Sequence, residues 1–236
     1  RSRIEYTALM SLRSTGPMLA FVLPLACAPA APADAPHEGH HGGHDHPHHH
    51  FTNAEQWAKE FDDPARDAWQ KPDAVVAALA LAPSAKVADI GAGTGYFTVR
   101  IARAAATGKV LALDVEPDMV RYLGERARKE GLANIEPRLV QKDDPKLDTP
   151  VDIVFVCDTY HHIEDRPAYF RKVAAALAPG GKVVIVDFKL GDIPVGPKHG
   201  RIGPVELDTE MQAAGLHRVS LDESTLPYQY IAAYTR

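Results

Sequence analysis

The groups in this chain best placed to do chemistry are polar residues standing where apolar runs end. Asp89 lies in the run Val87-Ala-Asp-Ile, and glycines follow at every second position, Gly91, Gly93 and Gly95. Glycine at that spacing permits a sharp turn and lets a ligand approach closer than any Cβ would allow. A helix opening at about Thr94 would aim unpaired N–H groups and its positive dipole end at such a ligand. Asp114 closes a second apolar run, Lys109–Asp114, and stands 19 residues after Gly95. Nucleotide folds place a ribose-binding acid at roughly 20 residues. A third run, Val151–Cys157, ends in Asp158-Thr-Tyr160-His161-His162. A histidine there offers a general base for a substrate proton.

Each group also has a plainer reading. The glycines make a tight strand-to-helix turn with no ligand. Asp114 caps a helix, since Glu116-Pro117-Asp118 reads as a helix start. The adjacent histidines diverge on a regular element, so one faces a pocket and the other caps or contacts a cofactor. No ligand partners recur at metal spacing around them.

The elements that must position these groups alternate. Asn134–Val140 reads as a strand weakened by Pro137, hence near a sheet edge or bulge. A helix over 117–130 ends on Gly131, another runs from Arg166 to Ala178, and Pro179-Gly-Gly181 turns into the strand Lys182–Lys189. Asp187 ends that strand. Gly191–Pro204 reads as a loop on the substrate side, holding His199 and Arg201. A helix over 205–214 and a last strand at Tyr228-Gln229-Tyr230-Ile close the chain. Phe51–Trp69 reads as an amphipathic helix, and a further helix starts near Pro72.

The order D-x-G-x-G-x-G, with its partner acid, resembles the first motif of the class I S-adenosylmethionine-dependent methyltransferases. The dinucleotide fingerprint G-x-G-x-x-G would need glycine where Tyr96 stands, which disfavours a nicotinamide-dependent oxidoreductase. Leu-Ala-Pro-Gly-Gly-Lys-Val before an apolar strand is similar to a landmark of the same class, and the 158–162 cluster to its fourth motif. The resemblance covers roughly residues 61–236. It implies an α/β, Rossmann-like fold: a seven-stranded, mostly parallel sheet with helices on both faces and an antiparallel C-terminal hairpin.

It further implies S-adenosylmethionine as cofactor, held by Asp89, Gly91, Ala92, Gly93, Gly95, Tyr96, Asp114, Val115 and Asp158, with Asp143 on the adenine amino group. The plainer reading of Asp143 is an Asx turn before Pro145. An N-terminal lid over 51–82 would bring Arg66, Trp69 and Gln70 to the cofactor or substrate, since small members of the class carry a similar Arg-x-x-Trp-Gln-x-Pro stretch. His161, His162, Asp158 and Tyr160 are the implied catalytic candidates. The reaction would be in-line attack on a sulfonium methyl, with positioning supplying most of the rate.

Composition sets limits on partners. The chain has 236 residues and a formal charge of −5. Residues 51–236 carry 23 basic and 27 acidic side chains and no Lys/Arg block. That weighs against nucleic acid and favours a small-molecule substrate. About 185 residues suffice for one domain, 51–236.

Residues 1–50 are of another kind. Met10 to Cys27 has the layout of a secretory signal, and its Leu-Ala-Cys end resembles a bacterial lipoprotein signal with Cys27 lipidated, although Pro24 breaks the usual pattern. Membrane attachment through Cys27 and a cell-envelope location follow, or a cytoplasmic one where the leader is unused. An Ala/Pro linker leads to eight histidines in residues 37–50. Among them His40, His41, His44, His46, His48, His49 and His50 could bind a divalent metal weakly, or serve only as a solvated linker. Export sits awkwardly with a cofactor made in the cytoplasm. An exported metal-binding lipoprotein whose domain binds ligand without catalysis is therefore the alternative.

Overall fold

The computed structural model describes residues 52–236. The leader, Cys27 and the histidine tract lie outside them. Within the described residues, seven strands form one sheet in the order β3-β2-β1-β4-β5-β7-β6. These are β1 (Lys86–Ile90), β2 (Lys109–Asp114), β3 (Ile135–Leu139), β4 (Val151–Cys157), β5 (Leu177–Phe188), β6 (His217–Asp222) and β7 (Gln229–Thr235). The first five pair in parallel, while β7 lies antiparallel between β5 and β6. This is the Rossmann-like fold expected from the sequence. Pro137, which lacks an N–H, sits on the edge strand β3.

Both faces of the sheet are covered, so the central strands are near-continuous apolar runs. Alternation along each strand divides two cores. Ala88, Ile90, Leu111 and Leu113 pack with α6 (Arg166–Ala175) and α7 (Pro204–Ala213) through Phe170, Val173, Leu207 and Met211. Val87, Val110 and Ala112 pack with α3 (Pro72–Ala78), α4 (Thr98–Ala104) and α5 (Pro117–Lys129) through Val75, Ile101 and Leu123.

Three expectations need correction. The helix after the glycine turn starts at Thr98, not near Thr94, because Gly91, Gly93 and Gly95 all hold positive φ (72°, 54° and 92°). The N-terminal segment is two helices, α1 (Ala54–Phe61) and α2 (Arg66–Gln70), because Pro64 and the Asp63 side-chain bond to Ala65 N–H turn the chain between them. The helix begun at Arg166 stops at Ala175. Leu177 already pairs with Val151, so β5 begins before the Pro-Gly-Gly turn.

The glycines of the turn divide their tasks. A Cβ on Gly95 would collide with Leu123 of the α5 core, at a φ that side chains rarely adopt. A Cβ on Gly93 would meet nothing nearer than the Phe61 ring, at 3.8 Å. Gly95 is therefore glycine for packing, while Gly93 faces the space a ligand would enter. Gly95→Ala is expected to cost about 2–4 kcal/mol in urea unfolding, and Gly93→Ala only the backbone strain of its positive φ, about 1 kcal/mol. Equal losses would contradict this division.

Candidate active site

Strand order reverses between β1 and β4, and open α/β sheets bind ligands outside the carboxyl ends of strands at such a point. The glycine turn leaves β1 there and Asp158 leaves β4. Gly91 packs directly under Thr159, so the two segments meet. Gly91 and Ala92 N–H groups donate to Leu113 O at the end of β2 (2.8 and 3.0 Å). Asp114 then clasps the turn: its carboxylate accepts from Gly93 N–H (2.7 Å) and Glu116 N–H (2.9 Å). Each oxygen keeps a lone pair for a ligand hydroxyl. Burial raises the Asp114 pKa, against these backbone donors. Val115, next in the chain, is exposed beside it.

Asp89 is buried and accepts from Thr98 Oγ1 at 2.5 Å, tying β1 to the first turn of α4. Burial pushes its pKa up to about 7, the Thr98 bond opposing this and the Asp114 charge adding to it. The Thr94 hydroxyl, buried in the same turn, has no hydrogen-bond partner. A buried orphan hydroxyl is unusual enough to point to a missing partner. With the open approach to Gly93 and the spare lone pairs of Asp114, it makes the turn fit a ligand with hydroxyl and amino-acid groups.

Across the crevice, Asp158 leaves β4 in a left-handed conformation (φ 54°). Its carboxylate gathers donors from distant elements: Arg66 Nη2 (2.8 Å), Gln70 Nε2 (3.0 Å) and Gln229 Nε2. Burial raises its pKa, opposed by Arg66 and Gln70. Gln70 is fully buried and also donates to Cys157 Sγ (3.1 Å) and Gln229 Oε1 (3.0 Å). Burial pushes the Cys157 thiol well up, so it is no nucleophile near neutrality.

The same two N-terminal helices cover the glycine turn. Tyr96, buried, donates to Asp67 and lies between the Arg66 and Arg100 guanidiniums (4.3 and 4.2 Å from its ring). Arg126 of α5 pairs with Asp62 (2.8 Å) and donates to Thr94 O (3.0 Å). Trp69 is partly exposed, near Phe188 and Tyr228.

The two histidines sit on a short 3-10 turn, Tyr160–His162. Their rings stay 4.2 Å apart rather than diverging fully, because the turn is tight. They part in surroundings: His162 is exposed, while His161 is buried with Nδ1 at 2.9 and 3.1 Å from the two Asp187 oxygens. Burial works against an imidazolium there, but the Asp187 hydrogen bond and charge outweigh it and raise the His161 pKa. Asp187 is fully buried and also accepts from its neighbour's Phe188 N–H (2.8 Å). This pairing was invisible in the sequence: both residues end apolar strands, but nothing in their spacing joins them.

Two assignments need correction. Tyr160 is fully buried and donates to Glu210 of α7 (2.6 Å), which Arg166 also grips, so it anchors the turn and does not reach the crevice. The Asx turn before Pro145 belongs to Asp144, whose carboxylate accepts from Lys146 N–H (2.8 Å). Asp143 stays exposed, its carbonyl accepting from Lys172 Nζ (2.7 Å). Among the described residues no cluster of three His, Cys, Asp or Glu could hold a metal ion.

Asp89 makes a pH prediction. Its pKa is raised on folding, so its stabilising contribution is full below the ordinary carboxylate range and is lost as pH rises toward about 7. Asp89→Asn is expected to flatten the fall in thermal stability between pH 5 and 7.5, by about 1–3 kcal/mol. An unchanged pH profile in the variant would rule this out.

Residues 88–183 match the methyltransferase domain family. The chain is 27% identical over 182 residues to the 27-O-demethylrifamycin SV methyltransferase of Amycolatopsis mediterranei, covering 70% of this chain and 63% of that protein. It is 26% identical over 164 residues to a ubiquinone/menaquinone biosynthesis C-methyltransferase of Idiomarina loihiensis, covering 63% and 65%. It thus spans somewhat less than two thirds of these relatives. The fold is similar to a crystal structure of an S-adenosylmethionine-dependent methyltransferase from Aquifex aeolicus, with TM-score 0.70 and 24% identity over 77% of this chain and 97% of that one. Over residues 88–183 the chain therefore carries a domain similar to the methyltransferase family, in a fold similar to that of an S-adenosylmethionine-dependent methyltransferase.

Proposed function

We propose that this protein transfers a methyl group from S-adenosylmethionine to a small-molecule acceptor. The observation that carries the reading is the juxtaposition at the switch point. A clasped glycine turn with a ribose-type acid ends β1 and β2, and a histidine–carboxylate pair ends β4 and β5. The cofactor supplies an electrophilic methyl on a sulfonium, a leaving group that needs no acid.

Each residue then has a definite task. Gly93 admits the ligand to the backbone, Asp114 accepts from the ribose hydroxyls, and the Thr94 hydroxyl gains the partner it lacks. Arg66 and Gln70 close the crevice over Asp158 and exclude water. Asp187 fixes His161 by its Nδ1 side, so Nε2 is the nitrogen that would meet a substrate. His161 takes a proton from an acceptor hydroxyl, and Asp187 steadies the imidazolium that results.

Titration of the full chain with S-adenosylmethionine and S-adenosylhomocysteine tests the reading. Micromolar binding is expected, weakened at least 30-fold by Asp114→Ala. Absence of binding to the folded protein would overturn it. The pair is tested separately by the His161 ring resonance. It should titrate above the ordinary histidine range, and Asp187→Asn, by removing the charge and hydrogen bond that raise it, should bring its pKa down.

A further inference from the structure

The acceptor side of the crevice has its own chemistry. Trp69 of α2 lies 6.2 Å from Phe188 at the end of β5 and 6.4 Å from Tyr228 ahead of β7. Phe188 in turn lies 6.2 Å from the His161 ring at 61°. A line of aromatic contacts thus runs from half-exposed Trp69 and Tyr228 through buried Phe188 to the buried His161–Asp187 pair. Gly196 of the 191–203 loop covers the other side of Phe188, where a Cβ would strike the ring. Such a wall suits a flat ring better than a flexible chain.

The rim of this wall is positively charged in an unusual way. Lys71 Nζ donates to Thr225 O (2.8 Å), and Lys189 Nζ donates to Leu226 O (2.7 Å) and Pro227 O (3.2 Å). Both grip the segment that leads into Tyr228. Arg201 shapes the neighbouring loop by donating to Gly191 O (2.7 Å), Val195 O (3.4 Å) and Pro197 O. Among the described residues none of these three cations forms an ion pair with a carboxylate, whereas Arg66, Arg121, Arg126 and Arg166 all do. An ammonium held only by carbonyls keeps its full charge, and Lys71 and Lys189 each keep an unused donor.

We infer that the acceptor is an aromatic ring bearing both a hydroxyl and a separate anionic group. This rests on the methyl-transfer reading above. The ring stacks against the half-exposed Trp69 and Tyr228, the anion meets Lys71 and Lys189, and the hydroxyl reaches toward His161 behind Phe188. A phenolic hydroxyl, with a pKa near that of tyrosine, is far easier for an imidazole to deprotonate than an aliphatic one. The phenolic proton passes to His161 Nε2. The oxygen's electron pair forms the new bond to the methyl carbon, releasing the carbon–sulfur pair to sulfur.

Calorimetric titration of the full chain saturated with S-adenosylhomocysteine provides the test. The probes are the hydroxybenzoate isomers, their methyl esters and 4-hydroxycyclohexanecarboxylate. At least one hydroxybenzoate should bind tenfold or more tightly than its ester and than the cyclohexane acid. Lys189→Gln should erase the preference over the ester, Lys189→Arg should keep it, and Trp69→Leu should erase the preference over the cyclohexane acid. Equal binding of acid and ester, or no effect of Lys189→Gln, would overturn the inference. If S-adenosylhomocysteine binds and no hydroxybenzoate does, the inference fails while the methyl-transfer reading stands. If S-adenosylhomocysteine itself does not bind, both fall.

Discussion

A carboxylate buried at the end of a strand must find donors or give up its charge. Four such groups stand around one crevice here, and the donors they find build the site. Asp89 takes the Thr98 hydroxyl and so fixes where α4 begins relative to β1. Asp114 takes two backbone N–H groups and so holds the glycine turn in shape. Asp158 takes Arg66, Gln70 and Gln229, and Asp187 takes His161. Remove these demands and the turn, the N-terminal helices and the histidine turn lose what positions them.

The demand of Asp158 reaches furthest in the chain. Its partners lie 92, 88 and 71 residues away. Through them α2 is drawn over the crevice, bringing Trp69 to the aromatic wall and Arg66 onto Tyr96. The same helices are held on the other side by Asp62–Arg126 and by Asp118 accepting from Ala54 N–H (2.6 Å). This attachment is mostly polar and charged, unlike the two apolar cores that hold the sheet. Polar attachment is compatible with opening, since each group can return to water at small net cost.

The charge layout separates two halves of the crevice. Carboxylates crowd the β1, β2 and β4 ends, where a sulfonium and an ammonium would be welcome. Cations with only carbonyl partners rim the side built by β5, β7 and the 191–203 loop. The fold thus sorts most of its charges along the crevice although its net charge is small, Asp187 at the end of β5 being held by His161.

Much was legible from the residues alone. Continuous apolar runs placed the central strands, because strands buried on both faces allow no polar interruption. Asp89, the glycine turn and Asp114 were legible because their chemistry is carried by local spacing. Pro137 announced an edge strand because it cannot donate to a ladder. Other features depend on which side chains become neighbours once the sheet has ordered its strands. Tyr160 turned into the core because Glu210 and Arg166 came to lie behind it. Residues 187 and 161 became a pair because β5 settled beside β4. Gln70 and Gln229 met because β7 inserted antiparallel next to β5. Local spacing determines the ligand turn and the class of fold. Partners far apart in sequence decided which histidine is held by a carboxylate, which tyrosine is structural and where the cations stand, because burial leaves a polar group only the neighbours that the completed sheet brings to it.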